Sequence, residues 1–242
     1  MPLDADVVLM GEVHDNPVHH VNQAIWLDRM KPAAVVFEQL PPHLAQVAES
    51  LRGSAADVLG AALEWEGRGW PDFEMYHPVF IAAGDAAIFG AEVAGAEIES
   101  VFAGGLAASR DLTAIFGLDA PLSAEIRAKR LDEIAQAHCN FMPEDSLAAM
   151  LDVQRLRDAA LAEAVIAAWE ETGGPVAVVT GNGHARDDWG VPSLLQAVRP
   201  DLSVIALGQL SSPPSSDVPF DDWVVAPYLD ADTRGDPCDA LR

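Results

Sequence analysis

The stretch VVLMGEVHDNPVHH, residues 7–20, sets the pattern from which the fold of this chain can be read. A continuous apolar run of strand length ends at Gly11, and two polar residues, Glu12 and His14, follow it closely. Runs of this kind are typical of strands that are buried on both faces of a parallel sheet. The turn Asn16-Pro17 then predicts the start of a helix, because proline suits the first helical turn.

The same arrangement recurs far downstream in VAVVTGNGHAR, residues 176–186. Both copies have a strand followed by Gly-x-x-His, so that His14 and His184 occupy equivalent positions. A further strand, residues 33–37, ends in Glu38. Because ligands of open parallel sheets bind beyond the carboxyl ends of the strands, we expect these side chains to form one polar pocket.

The alternation of strands and helices predicts an α/β fold, with a central, mainly parallel sheet covered by helices on both faces. Additional strands are expected at residues 87–90, 202–207 and 223–226, and helices at residues 17–29, 123–137, 146–171 and 192–198. The middle of the chain lacks clear strands. We therefore expect a single α/β domain over residues 1–242, with a helical insertion or small helical subdomain at about 41–80 and 110–150.

The composition limits the partners of the protein. With 38 Asp and Glu against 14 Lys and Arg, the chain lacks the clustered cations that nucleic acids and anionic membranes require. No apolar run reaches the roughly 18 residues of a transmembrane helix. No signal peptide is visible, which indicates a cytoplasmic protein for the chain as given, and a periplasmic or membrane-anchored one if an export signal was removed. Cys139 and Cys238 form no CxxC motif, and whether they pair stays open.

The predicted pocket is compatible with two kinds of chemistry. His14, Glu38 and His184 could hold a divalent metal ion and leave coordination positions open for a ligand. The same side chains, together with Glu12, could instead act as acid and base on an organic molecule. By contrast, His19 and His20 fall in the first turns of a helix, where we expect one of them to face solvent.

Two other regions are candidates for the walls of a site. Residues 64–78 combine aromatic residues with glycine and proline, which predicts an irregular loop that either caps the core or walls a ligand site. Gln154 and Asp158 share one face of the long helix with apolar residues, so they either line a pocket or lie at the solvent edge of that face. Asn182, inside the second Gly-x-x-His turn, is a further pocket candidate.

Several blocks of the sequence, taken in order over about residues 5–200, resemble the ChaN-like haem-binding proteins. The blocks are GEVHDNP with His19-His20 and Gln23, FEQLP, WPDF with Tyr76, His138 with Met142-Pro143, Gln154 with Arg157-Asp158, and GNGHAR with Gly190-Val191-Pro192. The resemblance implies an α/β fold with an added helical part and a role in haem or iron uptake. It also implies haem stacked at the interface of a homodimer, with a tyrosine ligand on the iron.

On this resemblance, Tyr76 is the candidate axial ligand, because tyrosine is a known ligand of haem iron. His77 and His138 are the reserve ligands, and Trp70 is expected to wall the haem. Members of the family are often exported lipoproteins, whereas no lipobox cysteine appears near this N-terminus.

The wider superfamily, which includes Tiki, TraB-type proteins and erythromycin esterases, is marked by paired Gly-x-x-His motifs with a glutamate and an arginine. His14, Glu38, His184 and Arg186 resemble that set. The resemblance implies a second function, a metal-dependent or His/Glu-dependent hydrolysis in which Arg186 stabilises an oxyanion. Haem binding with iron handling is the main hypothesis, hydrolysis is the alternative, and a scaffold without chemistry is the third possibility.

Overall fold

The computed structural model describes residues 1–230 and residue 238 of the chain. The chain is organised in two compact units. The first consists of residues 1–92 and 161–229, and the second is built on residues 93–160. The stretch 110–150, expected to be helical, falls in the second unit, whereas the stretch 41–80 belongs to the first unit.

The first unit contains a six-stranded parallel sheet, as the sequence predicts. Its strands are β1 (Val7–Glu12), β2 (Ala34–Phe37), β3 (Ala87–Gly90), β4 (Val176–Gly181), β5 (Val204–Leu210) and β6 (Asp222–Val225). Their order is β3-β2-β4-β1-β5-β6, and every neighbouring pair is parallel. All residues of β1 and β4 are buried, which fits central strands that are covered on both faces. The predicted α/β fold is thus confirmed.

The four helices expected at residues 17–29, 123–137, 146–171 and 192–198 lie close to their predicted positions. The helices of the described residues are α1 (Pro17–Met30), α2 (Ala45–Leu51), α3 (Ala56–Ala62), α4 (Phe73–Ala82), α5 (Gly95–Gly104), α6 (Arg110–Ile115), α7 (Ala124–Ala137), α8 (Glu144–Thr172), α9 (Asn182–Ala185) and α10 (Val191–Val198). Short 3-10 turns occur at Pro42–Leu44, Trp65–Arg68 and Leu106–Ala108. In the part of the chain that the structure describes, no helix combines the length and the apolar character needed to cross a bilayer.

Local capping interactions explain the bounds of α1. The side chain of Asn16 accepts a hydrogen bond from the Val18 N–H, and Pro17 occupies the first helical position. The helix ends at Met30 and is capped by Lys31, whose φ of 49° lies in the left-handed region. This start places the first turn of α1 directly after the polar residues that follow β1.

Aromatic side chains from the stretch 64–78 fill the core beside the sheet. Trp65 is only 3% exposed and contacts the ring of Tyr76, with ring centroids 4.8 Å apart. Phe37 of β2 stacks on Phe80 of α4, with ring centroids 4.2 Å apart. The expected irregular loop is shorter than predicted, because the Asp72 side chain caps α4 and starts that helix one residue later.

The second unit is helical in the residues that the structure describes, and two cross-links tie it together. Buried Arg130 of α7 donates to the carboxylate of Asp158 on α8 at 3.0 Å. Cys139 and Cys238, whose pairing the sequence left open, form a disulfide with their Cα atoms 5.6 Å apart. Asp158 therefore pairs with an arginine within this unit.

We predict that Gly11→Ala lowers the free energy of unfolding by about 1–3 kcal/mol, the usual cost of overpacking a dense core. A Cβ atom at position 11 would collide with the side chain of Asn182 and lie 2.9 Å from the Leu207 carbonyl oxygen. Gly53→Ala is the matched control, because a Cβ there meets nothing within 4 Å. Denaturant unfolding of both variants tests this, and equal stabilities would contradict it.

Candidate functional site

The strand order brings three polar strand ends together. β4 lies between β1 and β2. The second Gly-x-x-His turn, at the end of β4, therefore lies between Glu12 at the end of β1 and Glu38 directly after β2. The register pairs Glu12 with Gly181 and Phe37 with Val179. Side chains that follow these three strands therefore share one small region at the carboxyl edge of the sheet.

Glu12 is only 2% exposed, and its carboxylate is the most heavily hydrogen-bonded group of this region. Its Oε1 accepts hydrogen bonds from His14 Nδ1 at 2.7 Å, Tyr76 OH at 2.6 Å and Gln39 Nε2 at 3.0 Å. Its Oε2 accepts from Gln23 Nε2 at 2.7 Å and lies 3.4 Å from His20 Nδ1. Burial alone would raise the pKa of Glu12, but the hydrogen bonds from His14 and His20 lower that pKa below its ordinary value. Glu12 is therefore an ionised carboxylate that acts only as an acceptor.

The bond to Glu12 determines how His14 presents its ring. Because an ionised carboxylate accepts but cannot donate, the bond to Glu12 requires a hydrogen on His14 Nδ1, so that a neutral form of the ring would carry its lone pair on Nε2. The side chain is 34% exposed, and its Nε2 lies 3.8 Å from Glu38 Oε1. A Cβ at Gly181 would lie 2.8 Å from Nε2, so the first glycine of the second motif makes room for this imidazole.

Glu38 faces both imidazoles of the paired motifs. Its Oε2 accepts hydrogen bonds from Thr180 Oγ1 and the Gly181 N–H, both at 2.7 Å. Its Oε1 lies 3.5 Å from His184 Nε2, on the side that also faces His14. Burial by itself would raise the pKa of Glu38, but the two histidines and the hydrogen bonds lower it overall. His14 therefore lies between two ionised carboxylates.

His19 and His20 hold the backbone that carries His14, a role that the sequence analysis missed. His19 Nδ1 accepts a hydrogen bond from the Val13 N–H at 2.8 Å, and His20 Nε2 lies 2.9 Å from the His14 carbonyl oxygen. Both imidazoles are fully buried, so the expectation that one of them faces solvent is wrong. The sequence did contain a signal for this role, since His19-His20, Gln23 and Gln39 all lie in or beside the blocks that resemble the family.

The remaining candidates of the strand-end set make structural contacts. Arg186 Nη2 donates to Asp188 Oδ2 at 2.8 Å, and its guanidinium stacks on the ring of Trp189, 3.5 Å from the centroid. Asn182 binds the backbone of Gln209, donating to its oxygen at 2.6 Å and accepting from its N–H at 3.1 Å. Asn182 thus fastens the turn after β4 to β5.

The other two pocket candidates, Gln154 and Asp158, lie on α8 in the second unit. Asp158 pairs with Arg130 there, and Gln154 is half-buried. The set that the structure brings together in the first unit is Glu12, His14, Glu38 and His184.

The three residues expected to hold a metal, His14, Glu38 and His184, lie close together. His14 Nε2 and His184 Nε2 both face Glu38 Oε1, at 3.8 Å and 3.5 Å. Within residues 1–230 and 238, no three His, Cys, Asp or Glu side chains are grouped so that they could hold a metal ion.

The four haem candidates differ in their surroundings. Tyr76 is fully buried; burial first, and then the charge of Glu12, raises the pKa of its phenol above the ordinary value of 10.0. Ligation of iron by Tyr76 would therefore require its hydrogen bond to Glu12 to open. His77 Nε2 lies 2.8 Å from the Ser54 carbonyl oxygen, and His138 Nδ1 lies 2.8 Å from the Ile134 carbonyl oxygen.

Trp70 lies between the His14 region and an open cleft of the first unit. Its ring makes an edge contact with the His14 ring, with centroids 5.1 Å apart. The cleft has a volume of about 780 Å³, within the range of small-molecule sites. Its walls include Trp65, Trp70 and Phe73, with the carboxylates of Asp57, Glu66 and Glu74.

Comparisons with known proteins agree with this architecture. The family described as "Haem-binding uptake, Tiki superfamily, ChaN" matches residues 3–195. The solved structure titled "Cofacial heme binding to ChaN of Campylobacter jejuni" has a TM-score of 0.71 and 20% identity, and the match covers 90% of this chain and 86% of that one. The type III effector HopBA1 gives a TM-score of 0.47 at 12% identity, with 88% and 81% of the two chains covered. No curated protein matches this chain.

The fold and the site together define the class: a parallel α/β protein with a His/Glu set at the carboxyl edge of its sheet. Since the family match spans most of the sequence, the chain belongs to the ChaN haem-binding uptake family of the Tiki superfamily. The similarity to the Campylobacter ChaN structure supports the same fold.

We predict that the free energy of unfolding falls as the pH drops below 4.5, the ordinary value for Glu12 and Glu38. Both pKa values are lowered in the folded state, so the stability that these groups contribute is complete above that value and is lost on acidification. Glu12→Gln should remove part of this dependence. Urea unfolding between about pH 7 and pH 3 tests it, with exposed Glu66→Gln as control. If the free energy of unfolding of Glu12→Gln fell as steeply on acidification as that of the wild type, the assignment of an ionised Glu12 would be contradicted.

Proposed function

We propose that this protein binds haem and acts in haem or iron uptake. The observation that carries the proposal is the match of residues 3–195 to a haem-binding uptake family. The solved ChaN structure with the same fold is described as binding haem in a cofacial manner. By the same reasoning we propose a homodimer for the haem-bound form, since cofacial haems bring two binding sites face to face.

Of the four haem candidates, His138 has the surroundings that suit an axial ligand best. Its Nδ1–H donates to the Ile134 carbonyl oxygen, which fixes the tautomer and leaves the Nε2 lone pair for a metal. The ring is half-buried at the end of α7. Phe141, three residues further on, is 54% exposed and offers an aromatic surface against which a flat macrocycle can pack.

His77 and Tyr76 suit the role less well. His77 donates from Nε2, the nitrogen that projects furthest from the backbone, to the Ser54 carbonyl oxygen. The Tyr76 hydroxyl is buried and bound to Glu12. Trp70 lines the cleft of the first unit and remains the candidate for an aromatic wall there.

The disulfide supports a role in uptake. Disulfides form and persist mainly in oxidising compartments outside the cytoplasm. The Cys139–Cys238 bond follows directly after His138 in the sequence, in the turn that carries the proposed ligand. We therefore propose that the protein works outside the cytoplasm, where it would meet haem before the haem enters the cell.

We predict that His138→Ala weakens haem binding at least about tenfold and alters the Soret band, because removal of an axial ligand changes the electronic environment of the iron. Haem titration monitored by absorbance, with sedimentation of the same samples, gives the affinity and the oligomeric state. His77→Ala is the matched control, as another half-buried histidine bonded to a backbone carbonyl. Loss of the Soret band in Tyr76→Phe but not in His138→Ala would contradict this ligand assignment, and no haem binding by the wild type would contradict the function.

A second candidate function, hydrolysis, is favoured by one specific observation: the Glu12–His14 pair. The bond to Glu12 places a hydrogen on His14 Nδ1 and leaves Nε2, on the side of Glu38, to carry the lone pair of a neutral ring, which is the arrangement of a general base oriented by a carboxylate. Positive charge that develops on the ring when it takes a proton from water would be compensated by Glu12 and Glu38. Arg186 could stabilise an oxyanion only if its guanidinium left the carboxylate of Asp188.

We predict that, if the protein hydrolyses activated esters or peptides, His14→Ala lowers the rate by about 10²–10⁴-fold, the usual contribution of a general base. Chromogenic esters and a labelled protein substrate provide the assay, and metal analysis of the same preparation shows whether an ion is involved. His43→Ala, at an exposed histidine, is the control. Equal rates for His14→Ala and the wild type would eliminate His14 as the base.

A further inference from the structure

We infer that the segment Ala226–Tyr228, directly after β6, is a strap that positions His14 through His19. The strap lies beyond residues 3–195, the part of the chain that the family match covers. Its functional consequence rests on the proposed acid–base role of His14, but its structural basis does not. The contacts of this segment that are described below run to the turn after His14, so its residues are positioning residues.

The strap is fastened to the turn that follows His14. The Ala226 carbonyl oxygen accepts hydrogen bonds from Asn16 Nδ2 at 2.9 Å and from His19 Nε2 at 3.0 Å. Two residues later, the Tyr228 hydroxyl donates to Asp15 Oδ1 at 2.6 Å. Ala226 is only 5% exposed, so its carbonyl bonds are shielded from competing water.

The Ala226 carbonyl selects the tautomer of His19. A carbonyl oxygen only accepts, so the bond to Ala226 requires a hydrogen on His19 Nε2. The other nitrogen, Nδ1, is then left with the lone pair that accepts the Val13 N–H at 2.8 Å. Without the strap, the tautomer with hydrogen on Nδ1 becomes available, and in that tautomer the Val13 N–H loses its acceptor.

The effect reaches His14 through one peptide bond. Val13 immediately precedes His14, and the His14 carbonyl is held on its other side by His20. The two bonds together fix the backbone from which the His14 ring extends to Glu12. The strap thus supplies one half of this support, from a position more than 200 residues away in the sequence.

The neutral state of His19 agrees with this arrangement. Burial is the main cause that lowers the pKa of His19, with His20 acting in the same direction. The groups that oppose it are the Ala226 carbonyl of the strap, Glu12 at the end of β1 and Asp15 in the turn. A neutral ring can accept on one nitrogen and donate on the other, which the geometry requires.

The variant Asn16→Ser tests the strap without removing the cap of α1, because serine is also a preferred N-cap residue. Asparagine accepts from the Val18 N–H through Oδ1 and donates to Ala226 through Nδ2. Serine keeps the first function and loses the second, and it places no carboxylate beside His19 Nε2, which lies 3.1 Å from Asn16 Nδ2. Combined with Tyr228→Phe, it removes two of the three bonds of the strap. Leu229→Ala is the matched control in the same segment, because Leu229 is 85% exposed.

Two measurements on the full chain report the result: amide hydrogen exchange and the ¹⁵N signals of the His19 ring. In the double variant we expect the protection of the Val13 amide to fall at least about tenfold. The His19 signals should shift from the Nε2–H tautomer toward a mixture, while the amides of Val8 and Leu9 in β1 keep their protection. Leu229→Ala should behave as the wild type, and Tyr228→Phe alone should show a smaller change in the same direction.

Unchanged Val13 exchange and an unchanged His19 tautomer in the double variant would overturn the proposal. A parallel loss of protection at Val13, Val8 and Leu9 would also overturn it, because the strap would then only stabilise the sheet. Both readouts are independent of haem and of any substrate, so failure of the proposed hydrolysis would leave this result standing.

Discussion

The burial of one carboxylate, Glu12, governs the organisation of the site. An ionised group in the interior is tolerated only when donors compensate for lost hydration. The donors to Glu12 come from the turn after β1, from α1, from α4 and from the turn after β2. Each donor is thereby fixed in turn. The same bond that stabilises Glu12 orients His14, and the bond from Tyr76 anchors the aromatic core beside the sheet. Stability of the fold and orientation of the site therefore have a common origin.

Features determined by local chemistry were predictable from the sequence, whereas features that depend on distant partners were not. The buried runs of β1 and β4 and the cap of α1 each lie within a few residues, so their patterns predict the elements well. The insertion of β4 between β1 and β2 is set by packing of the whole sheet and leaves no local trace. Likewise, His19 bonds to the carbonyl of Ala226, and the hydroxyl of Tyr76 bonds to Glu12, across long separations in the sequence that only the folded chain closes.

The two proposed functions use different parts of the protein. The acid–base set lies at the carboxyl edge of the sheet in the first unit, where Glu12 and Glu38 flank His14. The proposed haem ligand, His138, lies in the second unit, in the turn that the disulfide closes. Membership of the ChaN family supports the haem proposal, and the ordered His/Glu geometry supports the acid–base proposal. Neither excludes the other, because they share no side chain.

The most direct test of this account is the protonation pattern of the His14 ring, observed by ¹⁵N nuclear magnetic resonance at neutral pH. We expect the neutral ring to carry its hydrogen on Nδ1, held by Glu12, and its lone pair on Nε2. Replacement of Glu12 by glutamine should abolish that preference. A ring that carries its hydrogen mainly on Nε2 in the wild-type protein, or a pattern that does not respond to the loss of the Glu12 charge, would contradict the central role assigned to this carboxylate.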